Sequence, residues 1–336
     1  MKAATILHPG EVSISEITKP EQTSGTALVR IERFGLCGSD LNTYRGGNPL
    51  VTYPRVPGHE LCGVVENIES GGAVKIGDTV TINPYSQCGT CSACRAGRVN
   101  CCRHNQTLGV QRDGGATEYL VVPMEKLIQV DGLTEEEVAC IEPLSVGSHA
   151  IERSRVRKGQ TVLVFGCGMI GLGVIAAAVY RAANVIAVDI DDAKLERARS
   201  LGAKFTINSA VQDLEKVVAD ITQGEGAEIV VEAVGRPETY VAAVRLVAFA
   251  GRVVYVGYSD KAVTYETKII LTKEIDIVGS RNAMPEDFDR VIAMLRARSI
   301  DVGTLVTQRF EFEQTGAAFE YWSEHPGEVT KIHVIV

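Results

Sequence analysis

The chain has 336 residues, of which 45% are hydrophobic and 23% are charged, as in globular proteins rather than disordered or fibrous ones. Its 34 Lys and Arg residues against 42 Asp and Glu residues give a net charge of −8, which disfavours binding to a nucleic acid backbone. No apolar run reaches the ~18 residues of a membrane span, and Pro9 and Glu11 interrupt any secretory apolar segment. We therefore expect a cytoplasmic protein without membrane or nucleic acid partners.

Short β-like runs separated by Gly and Pro fill the first part of the chain. Examples are residues 26–32, 63–68 and 78–82. This pattern predicts a β-barrel-like domain with long functional loops over residues 1–145.

A cysteine-rich segment interrupts this domain at about residues 85–104. The spacing Cys88-x2-Cys91-x2-Cys94-x7-Cys102 is typical of a tetrahedral structural zinc site without an open position. Cys101 competes for the fourth place, and a loop without metal is the alternative. An iron–sulfur cluster is disfavoured because no second half-motif follows. An odd total of 9 cysteines and a reducing compartment favour metal ligation over disulfides.

The pattern changes after about residue 144 to alternating strands and helices. This alternation predicts a doubly wound parallel sheet over residues 146–282. The predicted strands are 161–165, 185–189, 227–231, 252–256 and 275–278, and the predicted helices are 169–180 and 193–201.

A dinucleotide motif follows the first of these strands and opens the next helix. Gly166 permits a tight turn, Gly168 lets the backbone approach a pyrophosphate, and Gly171 allows close packing of helix and strand. Asp189 ends the second strand, where a carboxylate accepts hydrogen bonds from the ribose of NAD and repels the extra phosphate of NADP. The alternatives are a non-binding turn and an N-cap role for Asp189. The other predicted cofactor contacts are Met169, Ile170, Ile190, Lys194, Val234, Gly235, Val256, Gly257, Ser280 and Arg281.

Three further segments carry side chains that can bind zinc. They are Cys37-Gly-Ser-Asp40, Gly58-His59-Glu60 and Ile141-Glu142-Pro143. A catalytic zinc site needs about three protein ligands and one open position. Cys37, His59 and Glu142 could form it, with Glu60 as an alternating or outer ligand, but spacing alone leaves open that these are ordinary core or surface residues.

Together these motifs resemble the zinc-dependent medium-chain dehydrogenases, the family of alcohol, sorbitol and threonine dehydrogenases, over nearly the whole chain. Pro57-Gly-His-Glu60, Asp113-Gly-Gly and Glu142-Pro-Leu-Ser-Val146 match its motifs, and the last is similar to the polyol branch. The resemblance implies an α/β fold in which a GroES-like catalytic domain is split around a Rossmann domain, so that residues 283–336 return to the catalytic domain. It also favours Cys102 over Cys101 as the fourth ligand of the structural zinc.

The resemblance further implies two zinc ions per chain, NAD as cofactor, and assembly into dimers or tetramers. Catalytic zinc would bind Cys37, His59 and a carboxylate, with Glu60 and Glu142 exchanging roles. Ser39 would pass on the proton of the substrate hydroxyl, but Asn42 stands where many relatives carry a relay histidine. The implied reaction is oxidation of an alcohol, with hydride transfer to NAD.

The segment beginning Arg281-Asn282 suggests the substrate. An Arg near the zinc suits a polyol or a sugar acid, because its planar fork binds oxygens in pairs. The segment resembles sugar-acid dehydrogenases of the L-galactonate type, although Arg281 could instead be a structural ion-pair partner. The competing hypotheses are an L-threonine 3-dehydrogenase-type activity and a non-catalytic NAD sensor with structural zinc alone.

Overall fold

The structure, a computed structural model, describes residues 1–69 and 72–336. Contacts divide it into two units. The first contains Met1–Glu142 and Val302–Val336, and the second is the continuous segment Pro143–Asp301. The helix Pro285–Arg296 thus clusters with the second unit, whereas the family resemblance placed residues 283–336 with the catalytic domain.

The secondary structure of the described residues runs through both units in chain order. The strands are β1 (Lys2–His8), β2 (Glu11–Glu16), β3 (Thr26–Leu36), β4 (Glu60–Ile68), β5 (Thr79–Ile82), β6 (Tyr119–Pro123), β7 (Leu127–Gln129), β8 (Thr161–Phe165), β9 (Asn184–Asp189), β10 (Phe205–Asn208), β11 (Ala227–Glu232), β12 (Val247–Tyr255), β13 (Asp276–Gly279), β14 (Val306–Glu311) and β15 (Lys331–Ile335). The helices are α1 (Gly38–Tyr44), α2 (Ser92–Arg95), α3 (Glu135–Ala139), α4 (Ile141–Ser154), α5 (Met169–Tyr180), α6 (Asp192–Ser200), α7 (Leu214–Thr222), α8 (Pro237–Leu246), α9 (Thr267–Lys273), α10 (Pro285–Arg296) and α11 (Thr315–Glu324). Short 3₁₀ turns lie at Val99–Cys101, Met124–Lys126, Val302–Thr304 and Phe312–Gln314.

The first unit is built around β3. Its sheet has the order β14-β15-β3-β4-β5-β7, and β6 also pairs with β3. The inward side chains of β3, including Val29, Ile31 and Phe34, are essentially fully buried, as expected for a central strand rich in β-branched and aromatic residues. Because β15 pairs antiparallel with β3, the end of the chain is part of this core.

The second unit is a parallel sheet with the order β10-β9-β8-β11-β12-β13. Strand β8 is almost entirely buried, and α5 is apolar nearly all round, as expected for elements covered on every side. The strand order reverses between β8 and β11, and such a reversal opens a crevice at the carboxyl ends of the strands. The predicted doubly wound sheet is confirmed.

Among the described residues, no helix combines the length and the apolar character that crossing a bilayer requires.

Candidate active site

The first unit brings three predicted zinc ligands together at the adjoining ends of β3 and β4. Cys37 follows β3, Glu60 opens β4, and His59 immediately precedes it. One ligand atom from each of these three residues lies within 4.8 Å of the others. Gly35 pairs with Glu60 in the ladder, and a Cβ at Gly35 would lie 2.1 Å from Glu60 Oε2, so this carboxylate needs a glycine opposite it.

His59 and Glu60 are buried, Cys37 is half-buried, and the carboxylate of Asp40 is buried beside them. His59 is 5% exposed, Glu60 0% and Asp40 1%. Burial opposes a charge on the imidazole, yet Asp40 and Cys37 raise the pKa of His59 well above its usual value. His59 Nδ1 and Asp40 Oδ1 are buried without a hydrogen bond in the described part of the chain. A thiolate, an imidazole and a carboxylate gathered in this way fit Zn²⁺, whose bonds to such ligands are about 2.0–2.3 Å long.

Lys331 is a member of this site that the sequence reasoning missed. Its Nζ lies 2.5 and 2.6 Å from the two carboxylate oxygens of Glu60 and 3.0 Å from the Leu36 carbonyl oxygen. Burial opposes the ammonium charge, but Glu60 raises the pKa of Lys331. A lysine that opens an apolar β-run was the available signal, since a buried charge requires a partner.

Glu142 is held by a second missed residue, Tyr85. The Tyr85 hydroxyl donates a hydrogen bond to Glu142 Oε1, and both side chains are buried. Burial raises the pKa of Glu142 and also that of Tyr85. In the described residues, Glu60 rather than Glu142 falls within the compact group of Cys37 and His59.

The remaining predicted catalytic residues occupy less buried positions. Ser39 is half-buried in α1, and its carbonyl oxygen accepts a hydrogen bond of 2.9 Å from Thr43 Oγ1. Asn42 is exposed on the same helix. Arg281 is exposed in the second unit, just after β13.

The second predicted metal site is the cysteine lobe. One sulfur from each of Cys88, Cys91, Cys94 and Cys102 lies within 4.8 Å of the others. Backbone N–H groups point at these sulfurs, including two that donate to the buried Cys102. Cys101 lies outside the group, and Arg98 donates to its sulfur.

The dinucleotide motif has the geometry that a pyrophosphate-binding turn requires. Gly166 has φ +90°, and a Cβ on Gly171 would lie 1.8 Å from the Gly166 carbonyl oxygen. Gly168 N-caps α5, whose first residues are the predicted contacts Met169 and Ile170. Free N–H groups at the start of such a helix attract phosphate.

Asp189 organises the adjoining turn. One of its oxygens accepts a hydrogen bond of 2.7 Å from Cys167 N, and the other accepts one of 2.7 Å from Ile190 N. Ile190 is 67% exposed, and Lys194 lies in the first turns of α6. The arrangement leaves a carboxylate and an apolar side chain at the carboxyl end of β9.

The other predicted cofactor contacts lie at the ends of β11, β12 and β13. Val234 and Gly235 donate their N–H groups to the side chain of Glu232, and Val256 and Gly257 donate theirs to its carbonyl oxygen. Sequence reasoning missed Glu232, although an acid ending a buried strand was visible. After β13, the buried hydroxyl of Ser280 has no hydrogen-bond partner among the described residues.

Comparisons with known proteins agree with this arrangement. Residues 23–132 match the alcohol dehydrogenase GroES-like domain, and residues 170–297 match the zinc-binding dehydrogenase family. The chain is 33% identical to the L-galactonate-5-dehydrogenase of Escherichia coli over 93% of this chain and 92% of that protein. It is 32% identical to the sorbitol dehydrogenase of Bacillus subtilis over 99% of this chain and 97% of that protein.

A solved structure extends the likeness to three dimensions. The RspB alcohol dehydrogenase of Escherichia coli, in complex with NADH, superposes with a TM-score of 0.93 at 31% identity, covering 100% of this chain and 99% of that one. The chain therefore belongs to the zinc-dependent medium-chain alcohol dehydrogenases, a family of oxidoreductases, and within it to the polyol dehydrogenase branch.

Proposed function

We propose that the chain oxidises a secondary alcohol of a polyol or sugar acid and transfers the hydride to NAD. The observation that carries the proposal is the compact group of Cys37, His59 and Glu60. Glu142, which accepts a hydrogen bond from the Tyr85 hydroxyl, belongs to the same unit. Its L-galactonate and sorbitol dehydrogenase relatives act on such compounds. The proposed ligands are Cys37, His59 and either Glu60 or Glu142 for a catalytic zinc, and the four-cysteine lobe for a structural one.

When bound, zinc would supply Lewis acidity toward an alcohol oxygen, and NAD a hydride acceptor at nicotinamide C4. Side chains of this protein would move the substrate proton and orient the substrate. Ser39 Oγ accepts the hydroxyl proton of the substrate and passes it outward. Because the amide of Asn42 cannot titrate, it cannot be the next proton acceptor, and water would take that role. Glu142 is suited to orient further oxygens of the substrate, and the planar fork of Arg281 is suited to bind oxygens in pairs.

The coenzyme site lies in the second unit. The turn at Gly166–Gly171 and the N-terminus of α5 would hold the pyrophosphate, and Asp189 would accept hydrogen bonds from the ribose hydroxyls. The same carboxylate disfavours the additional phosphate of NADP, so NAD is the preferred coenzyme.

We also infer a cytoplasmic homo-oligomer, a dimer or a tetramer. All 9 cysteines are free, which suits a reducing compartment that keeps metal-binding thiols available. Strand β13 forms an edge of the parallel sheet, and an unpaired edge is suited to pairing with a second copy. Light scattering of the purified chain measures the assembly directly.

A substrate panel tests the reaction. The metal-loaded protein is incubated with NAD or NADP and with alditols, aldonates, simple alcohols or L-threonine, while reduction of the coenzyme is followed by absorbance. We expect NAD to be reduced with alditols or aldonates and the metal content to be about two zinc ions per chain. Cys37→Ser should abolish turnover and leave NADH binding nearly intact, because the thiol lies in the other unit.

The contrary outcomes identify the competing functions. L-Threonine as the best substrate would indicate an amino alcohol dehydrogenase. About one zinc ion per chain, NADH binding and no turnover would indicate a sensor.

A further inference from the structure

Glu232 is a buried acid at the carboxyl end of β11, outside the sites predicted from the sequence. Its side chain is 0% exposed. Dinucleotides bind at the carboxyl ends of the strands of such a sheet. The residue therefore lies beneath the coenzyme crevice.

The carboxylate fixes the loop that leaves β11. Glu232 Oε1 accepts hydrogen bonds from Val234 N at 2.9 Å, from Gly235 N at 2.8 Å and from Thr239 Oγ1 at 2.7 Å. Thr239 belongs to the first turn of α8, so a single oxygen ties this loop to the helix that follows it. Hydrogen bonds to an ionised acceptor are roughly twice as strong as neutral ones.

The same residue also fixes the segment that leaves β12. The Glu232 carbonyl oxygen accepts hydrogen bonds from Val256 N at 2.9 Å and from Gly257 N at 3.0 Å. A Cβ on Gly257 would lie 2.4 Å from Glu232 Oε2 and 2.3 Å from Gly235 N. The two segments therefore pack backbone against backbone around this carboxylate.

Glu232 Oε2 is buried and has no hydrogen-bond partner in the described part of the chain. Leaving a buried carboxylate oxygen unsatisfied has an energetic cost. A buried polar atom without a partner calls for a reason in the fold or the function. The other carboxylate oxygen and the carbonyl oxygen of the same residue hold the loops after β11 and β12.

We propose that Glu232 is a positioning residue for the coenzyme: it holds the loops at 233–235 and 256–257 in the conformation that binds NAD. The inference rests on the proposed NAD-dependent function and adds to it a determinant of coenzyme affinity that does not touch the reacting atoms.

The test uses three substitutions in the metal-loaded full-length protein. Glu232→Gln removes the charge from the acceptor, and Thr239→Val removes one of its donors. Glu228→Gln is the control. Glu228 lies near the amino end of the same strand, β11, where its Oε2 accepts a hydrogen bond of 2.7 Å from Thr161 N. NADH binding is measured by fluorescence titration, with KM for NAD, kcat and thermal unfolding recorded in parallel.

We expect Glu232→Gln to raise the Kd for NADH and the KM for NAD about tenfold, with kcat at saturating NAD within twofold of wild type. Thr239→Val should raise both about threefold, and Glu228→Gln should change neither. A Glu232→Gln protein that melts at lower temperature but binds NADH like wild type would reduce the residue to a structural role and overturn the proposal. If Glu232→Gln does not fold, a Thr239→Val protein that binds NADH with wild-type affinity overturns the proposal. Wild-type protein that binds no NADH would instead refute the proposed function.

Discussion

At the scale of single residues, the two buried glutamates of the candidate active site each have a partner from a distant part of the chain. Glu60 is paired with Lys331, and Glu142 accepts a hydrogen bond from Tyr85. The two carboxylates that the family resemblance treats as interchangeable thus have different partners. An ammonium group pairs with Glu60, whereas a phenol donates a hydrogen bond to Glu142. This difference gives each carboxylate a distinct environment beside Cys37 and His59.

Tyr85→Phe removes only the hydroxyl that orients Glu142. Because a buried carboxylate then loses a donor, we expect a loss of about 1–3 kcal/mol in unfolding free energy. We also expect kcat/KM for the best substrate to fall about tenfold, with the KM for NAD unchanged. Thermal melts and steady-state kinetics measure the two effects.

Tyr321→Phe is the matched control for this substitution. The Tyr321 hydroxyl donates to Glu328 Oε2 at 2.9 Å, a tyrosine–glutamate pair of the same unit that is exposed to solvent. We expect little change in stability or kinetics. Equal effects of the two substitutions would show that Tyr85 has no special role.

The residues of the candidate site differ in how well the sequence alone predicts them. Cys37, His59 and the four cysteines of the cysteine lobe occur in short local motifs. Spacing and resemblance therefore select them as candidate metal ligands. Lys331 lies 271 positions from Glu60 in the chain, and Tyr85 lies 57 positions from Glu142. Pairs so distant become visible only after the strands assemble, because nothing local specifies the partner.

At the scale of elements, sequence periodicity closely located the first strand of the parallel-sheet unit and the helix that follows it. The predicted strand 161–165 and helix 169–180 coincide with β8 and α5. Buried parallel strands are continuous apolar runs with Gly-rich turns between them, so their ends are well marked. Strand β12 begins five residues before the predicted 252, because Val247 pairs with Ala227 ahead of a register shift. Such a shift depends on the neighbouring strand and leaves no local pattern.

The cysteine lobe allows a comparison of adjacent residues. Cys102→Ser should remove one zinc ion per chain and lower the melting temperature, since Cys102 is buried within the four-sulfur group. Cys101→Ser should retain the full zinc content and stability, because its sulfur lies outside that group. Metal analysis of both purified variants, with thermal melts, decides between them. Zinc loss in Cys101→Ser alone would reverse the assignment.

At the scale of the whole molecule, stability depends on groups buried where the returning segment joins the first sheet. His333 on β15 is 0% exposed, and its Nε2 lies 3.5 Å from Cys140 Sγ. Burial, together with the charges of Lys331, Arg33 and Arg309, lowers the pKa of His333 well below its usual value. The folded protein therefore keeps this imidazole neutral.

This neutral imidazole predicts a loss of stability in mild acid. Below about pH 6.5 the unfolded chain binds a proton at His333 that the folded chain does not, so unfolding becomes easier as the pH falls. The single group would account for about 1.4 kcal/mol for each pH unit below 6.5. His333→Gln should flatten the pH dependence of the melting temperature between pH 7.5 and 5.5.

His8→Gln is the control for that measurement, because His8 is exposed and pairs with Glu11 at the surface. We expect His333→Gln to flatten the pH profile more than His8→Gln does. A His333→Gln profile as steep as the wild-type profile would assign the acid sensitivity to other groups.

The position of β15 also constrains how the protein is made. On the ribosome, the continuous second unit emerges completely before Lys331 does, so the nascent chain has Glu60 without its ammonium partner and β3 without the strand at one side. An unpaired central strand is a template for wrong pairing. Strand β15, which completes the first sheet, is thus translated after the whole second unit, and termination just before it would release a chain with an intact second unit and an open, aggregation-prone first unit.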